Sequence, residues 1–162
     1  MQMYCIECLA DCPQHIPVLA AWHNAQWNYL DVGVSVAQRA AALRKHGRGI
    51  VPMTLVALSG DTLLGSASLI QHDMDTRMDL WPWLASVYVD PPYREQGIGS
   101  ALVQAIVDQA TLQGFPALYL FTPDRAAFYE RLGWQALERT VYRGYAQTVM
   151  SIALRQPCEA LG

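Results

Sequence analysis

The segment Val87-Tyr-Val-Asp-Pro-Pro-Tyr-Arg-Glu-Gln-Gly-Ile-Gly-Ser100 constrains this chain more than any other stretch. The run Trp83-Leu-Ala-Ser-Val-Tyr-Val89 is rich in β-branched and aromatic residues, and Asp90-Pro91-Pro92 stops it, because proline brings no N–H to a ladder. A glycine-containing loop follows and opens a helix to about Gln113, with Leu102, Val103, Ile106, Val107 and Ala110 on one face. The first N–H groups of such a helix lack intrahelical partners, and the helix dipole adds positive partial charge there. Gly97 and Gly99 remove side chains where a ligand would approach the backbone. The arrangement makes an anion site suited to a pyrophosphate. It differs from the familiar nucleotide loops, having neither Gly-x-x-x-x-Gly-Lys-Ser/Thr nor the three-glycine dinucleotide fingerprint. On the glycines alone, a tight strand-to-helix turn is the simpler explanation.

Glycine and proline divide the rest into short alternating elements. Residues 3–9 read as a strand. Residues 15–30 read as a helix, with Leu19, Trp22, His23, Gln26, Trp27 and Leu30 at three- and four-residue spacing. Ser35 is the N-cap of a second helix to about His46, closed by Gly47 and Gly49. Residues 51–58 and 62–71 form a hairpin around Ser59-Gly60-Asp61, and the polar stretch 72–80 reads as an exposed connection. After Gly114, residues 117–122 form a strand, Asp124 caps a short helix through Arg131, and 134–142 and 145–154 make a final strand pair. Residues 156–162 read as a loose tail. With no repeats or linkers, the pattern is one α/β (α+β) domain spanning 1–162, with parallel and antiparallel strands mixed.

The chain of 162 residues carries 11 Lys+Arg against 14 Asp+Glu, a formal charge of −3. With 52% hydrophobic and 15% charged residues it can build a core, and it lacks the low hydrophobicity and high charge of disorder. A nucleic-acid binder draws most of its affinity from a basic excess, so a pI near 5.7 argues against that partner. No run approaches the roughly 20 apolar residues of a membrane span. The N-terminus lacks a basic segment followed by an apolar run. A soluble cytoplasmic protein is expected. Cys5-x2-Cys8-x3-Cys12 invites a metal reading, but residues three apart on a strand point to opposite faces. These thiols, with Cys158, are expected to be ordinary buried or half-buried side chains, and no metal is expected.

Arg94-x-x-Gly97-x-Gly99 resembles the Arg/Gln-x-x-Gly-x-Gly/Ala motif of the GNAT superfamily of acyl-CoA-dependent N-acetyltransferases. Phe128-Tyr129-Glu-Arg-Leu-Gly133-Trp134 resembles that family's Tyr-x-x-x-Gly-Phe segment, with Trp134 in place of the commoner Phe. The recognisable block covers residues 83–134, and the other elements fall in the family's order. The resemblance implies a central mixed, mostly antiparallel sheet of about seven strands, splayed at the cofactor site and flanked by about four helices. It implies acetyl-CoA as co-substrate, with backbone N–H groups of Gln96, Gly97, Ile98, Gly99 and Ser100 on the pyrophosphate and Arg94 and Glu95 shaping the approach. Val87 and Val89 would pair their backbone with the pantetheine arm. The Val87 N–H would face the thioester carbonyl as an oxyanion donor. Tyr129 would be the catalytic acid that protonates the departing thiolate, a phenol being a workable donor to a thiol.

The general base is where the motifs fall silent. Strand 83–89 holds no carboxylate, so Asp79, just before it, is the nearest candidate, against its simpler reading as a solvated charge beside Asp73 and Asp75. A water relay would need no side-chain base. Trp27 and Trp83 are candidates for lining the acceptor pocket, although core packing explains both. His15, His23, His46 and His72 show no metal spacing and read as surface or core polar residues. The expected activity is direct transfer of acetyl to a primary amine of a small molecule or peptide. The alternatives are a catalytically weak acyl-CoA-binding sensor of the same fold and, less favoured at this charge, a toxin-type enzyme acting on aminoacyl-tRNA. A homodimer is the default oligomer.

Overall fold

The computed structural model describes residues 3–155, so Cys158 and the tail expected at 156–162 lie outside the described residues. In chain order the elements are β1 (Cys5–Cys8), α1 (Ile16–Trp27), α2 (Val36–Arg44), β2 (Met53–Ser59), β3 (Thr62–Ile70), β4 (Trp83–Val89), α3 (Ile98–Leu112), β5 (Ala117–Thr122), α4 (Ala126–Arg131), β6 (Gln135–Tyr142) and β7 (Tyr145–Ala153). The seven strands form one sheet in the order β1-β2-β3-β4-β5-β7-β6. Every neighbouring pair is antiparallel except β4 and β5, which run parallel. The expected mixed, mostly antiparallel sheet with four α-helices is what the described residues form.

The central strands β2 and β3 are buried along nearly their whole length, because helices cover both faces. On one face α3 sets Ile98, Leu102, Val103, Ile106 and Ala110 against Leu55, Ala57, Leu64 and Leu69. On the other, Ile16, Leu19 and Ala20 of α1 and Ala40 and Leu43 of α2 pack on Val56, Leu58 and Leu63. Each fully buried Leu or Ile here contributes about 1.5–3 kcal/mol of apolar transfer. Ser35 caps α2 through a reciprocal pair in which the Gln38 N–H donates to Ser35 Oγ and the Ser35 N–H donates to Gln38 Oε1. Among the described residues no helix is long and apolar enough to cross a membrane.

Two local expectations change. The connection at 72–80 is not simply exposed, because Met74, at 1% exposure, inserts into a cluster with Leu30, Trp83, Tyr142 and Val149. Asp124 does not cap α4. Its N-cap residue is Arg125, whose N–H donates to Thr122 Oγ1 at 3.0 Å. Cys5 and Cys8 lie on β1 as expected, but Cys5 is exposed instead of buried or half-buried, while Cys8 Sγ–H donates to the Gly47 carbonyl at 3.4 Å. Among the described residues no group of three His, Cys, Asp or Glu is placed to hold a metal ion.

Candidate active site

The site begins where the sheet stops being continuous. β4 and β5 share a single register pair, Trp83 with Tyr119, backed by the Tyr119 N–H donating to the Pro82 carbonyl at 3.1 Å. Beyond that pair the two parallel strands make no further rungs, which leaves a wedge open toward their C-terminal ends. A bulge in β4 lies at its mouth. Ala85 pairs with Ser68 and Tyr88 with Ser66, so Ser86 and Val87 together oppose the single Ala67. Ser86 takes a left-handed φ of +53°, an uncommon conformation for a residue with a Cβ.

Buried groups behind the bulge hold it. Ser66 Oγ donates to the Ser86 carbonyl at 2.9 Å, and His23 Nε2 lies 2.9 Å from the same hydroxyl. His23 stands on the buried face of α1 with Ile16, Leu19 and Ala20, its ring edge-on to Trp27. Burial, with smaller contributions from Arg39 and His46, lowers its pKa to about 3, so the ring is neutral at working pH.

The N-terminus of α3 lies just past β4. Gly97 is its N-cap at φ +82°, and nothing stands within 4 Å of where a Cβ would project. A Cβ on Gly99 would meet Val89 and Phe128 only at ordinary contact distances of 3.7 and 3.8 Å. Packing therefore does not require glycine at position 99. The open space above exposed N–H groups fits a pyrophosphate. Arg94 turns back on the strand, donating from Nε to the Val89 carbonyl at 2.7 Å with its guanidinium over the Tyr88 ring, and so shapes the loop. Glu95 is exposed at φ +63°, and Gln96 lies half-buried beside it.

A cavity of about 190 Å³ occupies the wedge, with Trp27, Asp73, Ser86, Val87, Tyr129 and Tyr142 in its wall. Tyr129 comes from α4, its ring packed edge-on against Phe128 and Trp134. Its hydroxyl has no hydrogen-bond partner among the described residues. Burial pushes its pKa up to about 12, against a smaller lowering by Arg125, so the phenol keeps its proton. Asp73 reaches the wall because Met74 anchors its loop. Burial first and the Asp31 charge second push its carboxyl up to about 8, with Arg143 opposing. Arg143 is committed elsewhere, pairing with Asp31 at 2.9 Å and Asp75 at 3.1 Å.

The structure thus brings Val87, Tyr129 and Trp27 to one cavity, whose wall includes neither Val89 nor any residue of the loop at 94–100. It does not bring Asp79 or Trp83 there. Asp79 is exposed and paired with Arg77 at 3.0 Å. Trp83 is fully buried, its Nε1–H donating to the Leu80 carbonyl at 2.8 Å within the core behind the wedge. Sequence reasoning missed Asp73 in the cavity wall and the His23–Ser66 contact behind the bulge. Met74, one of the few apolar residues of a polar stretch, is the signal that this loop folds back, although the exposed Met78 shows that the residue type alone does not decide it.

A family model described as an acetyltransferase (GNAT) domain matches residues 52–136, a little over half of the chain. Glucosamine 6-phosphate N-acetyltransferase of Trypanosoma brucei brucei is 32% identical over 109 residues, covering 66% of this chain and 73% of that protein. The [ribosomal protein bS18]-alanine N-acetyltransferase of Escherichia coli K12 is 35% identical over 69 residues, which span only 45% of its length and 40% of this chain. Among solved structures, yncA of Salmonella typhimurium, determined with its cofactor acetyl-CoA, superposes with a TM-score of 0.72 at 20% identity, covering 94% of each chain. That likeness concerns the fold, while the family match and the first relative concern descent, and together they show that this chain belongs to the GNAT N-acetyltransferase family.

Proposed function

We propose that the protein transfers an acetyl group from acetyl-CoA to a primary amine of a small molecule or peptide, by direct attack within the β4–β5 wedge. The observation that carries the reading is the wedge itself: one rung of pairing, then a gap that holds a protonated tyrosine, with the helix that follows β4 capped by a Gly97 in open space. Acetyl-CoA supplies an acetyl group already activated as a thioester. Backbone N–H groups of Gln96 to Ser100 hold the pyrophosphate, Val87 and Val89 hold the pantetheine arm, and the Val87 N–H faces the oxygen on which charge develops. Tyr129 gives its phenol proton to the departing sulphur. The same burial that raises the phenol's pKa raises that of a thiol in this cavity, so the donor and acceptor stay matched.

Asp73 takes the place that the motifs left vacant. Its carboxylate receives the proton that the attacking nitrogen loses, while Asp31 in the same wall is already paired with Arg39 and Arg143. The two curated relatives act, by name, on glucosamine 6-phosphate and on an alanine of a ribosomal protein, which supports an amine acceptor in both size classes. The sensor alternative drew on the missing strand carboxylate, and a carboxylate supplied by the loop counts against it. The test is release of free thiol from acetyl-CoA against a panel of amino sugars, polyamines, aminoglycosides and peptide N-termini. Turnover on one class with Asp73→Asn inactive supports the reading. Acetyl-CoA binding without turnover on every class overturns it in favour of the sensor.

A further inference from the structure

We infer that His23 and Ser66 are positioning residues for acetyl transfer, linked in a hydrogen-bond chain that ends on the peptide carrying the Val87 N–H. The inference rests on the reading above that this N–H faces the thioester oxygen. The carbonyl of Ser86 and the N–H of Val87 are the two ends of one planar peptide. Ser66 Oγ donates its only proton to that carbonyl at 2.9 Å, so at the His23 contact, also 2.9 Å, Ser66 Oγ must accept. This fixes His23 as the neutral tautomer with its proton on Nε2. The chain therefore runs from His23 Nε2–H to Ser66 Oγ–H to the Ser86 carbonyl.

Two consequences follow for the reacting end. A hydrogen bond accepted by the carbonyl polarises the peptide, and the N–H at its far side becomes the stronger donor. The bond also holds the plane of a peptide that sits in a bulge, beside a residue at φ +53°, where neighbouring ladder pairing does not fix it. An oxyanion donor works only if it is oriented before the charge develops. Both residues of the chain are buried, Ser66 completely, so bulk water does not compete for the bonds.

A second chain on the same sheet face serves as an internal control. His46 Nδ1 lies 2.8 Å from Thr54 Oγ1, which lies 2.8 Å from Ser68 Oγ, and this chain ends on a side chain without reaching the bulge peptide. Removing its hydroxyl perturbs a buried polar pair of the same kind without touching Val87.

The experiment uses the full chain with acetyl-CoA labelled at the carbonyl carbon, read by infrared difference spectroscopy, together with steady-state kinetics. In wild type the bound carbonyl band lies below its free position. Ser66→Ala moves the band back toward free and lowers kcat about tenfold or more, the range seen when a supporting partner is lost. Acetyl-CoA affinity stays within about twofold, since the pyrophosphate loop is untouched. Ser66→Thr restores band and rate by keeping a hydroxyl, and Ser68→Ala changes neither. If Ser66→Ala does not fold, His23→Phe moves the band in the same direction. A Ser66→Ala protein with wild-type band and kcat overturns the inference. So does a ring-nitrogen NMR spectrum of the free protein that places the His23 proton on Nδ1. Failure of the functional reading has a different signature: no acetyl-CoA binding, or a wild-type band at the free position, removes the Val87 donor and the chain's role with it.

Discussion

Replacing Asp73 by Asn separates what the fold wants from what the chemistry needs. The Asp73 carboxyl is pushed up to about 8 from an ordinary value of 3.8, so the folded protein holds this proton far more tightly than the unfolded chain does. A group raised in this direction lowers stability as pH rises. The penalty is absent below about pH 4, grows between the two values, and is complete above about pH 8. The span from 3.8 to about 8 corresponds to a ceiling of about 6 kcal/mol. Asp73 is only half-buried and its cavity admits water, which screens the charge and leaves about 1–2 kcal/mol. Asn matches the shape of Asp and carries no charge. Asp73→Asn is therefore expected to melt with wild type at pH 4 and about 2–6 °C above it at pH 8.5, while losing turnover. The assay is thermal unfolding from pH 4 to 9, alongside thiol release with the best amine. A gain that is the same at every pH, or a loss at pH 8.5, refutes the argument that a half-buried, unneutralised carboxylate stands in the cavity wall.

Other outcomes follow from the same geometry. Tyr129→Phe is expected to lower kcat about 10²-fold with acetyl-CoA affinity unchanged by calorimetry, because only the transferable proton is lost; equal losses in both would make Tyr129 a packing residue. Gly65→Ala is expected to destabilise by about 2–4 kcal/mol in denaturant unfolding, since its Cβ would lie 2.5 Å from the Tyr88 carbonyl oxygen, and backbone cannot yield as a side chain does. Ser35→Ala is expected to cost about 1 kcal/mol through loss of the α2 cap, with no change in turnover.

Much of this architecture was legible because local signals and tertiary demands agree. The limits of β4 and β5 follow from apolar runs closed by Pro-Pro and opened after Gly114, and the structure places both where the pattern does. The turn that opens α3 was legible from Gly97, whose left-handed backbone favours a residue without a Cβ. The parts that were not legible depend on contacts between distant segments. Asp73 looked like one more solvated charge among Asp75 and Asp79, and only the burial of Met74 against Trp83 and Tyr142 turns its loop over the sheet. His23 was placed on the core face of its helix by spacing, but nothing local says that Ser66, 43 residues away, meets it there. The bulge at Ser86 carries no glycine to announce it. It arises from the register between β3 and β4, which is a property of two strands and not of either one.

The central claim is that acetyl-CoA docks on the N-terminus of α3 and enters the wedge between β4 and β5. Gly97→Asp tests it most directly. Aspartate is among the residues that enter the left-handed backbone, at a modest cost in strain, and nothing stands within 4 Å of its Cβ, so the fold should survive. Its carboxylate would then stand where the pyrophosphate is held, and repulsion replaces the helix-terminal attraction. Calorimetry with acetyl-CoA is expected to show binding to wild type and at least about a hundredfold weaker binding to Gly97→Asp, with matching circular dichroism and a melting temperature lowered by a few degrees at most. Equal affinity for the two proteins would contradict the account and place the cofactor elsewhere on the fold.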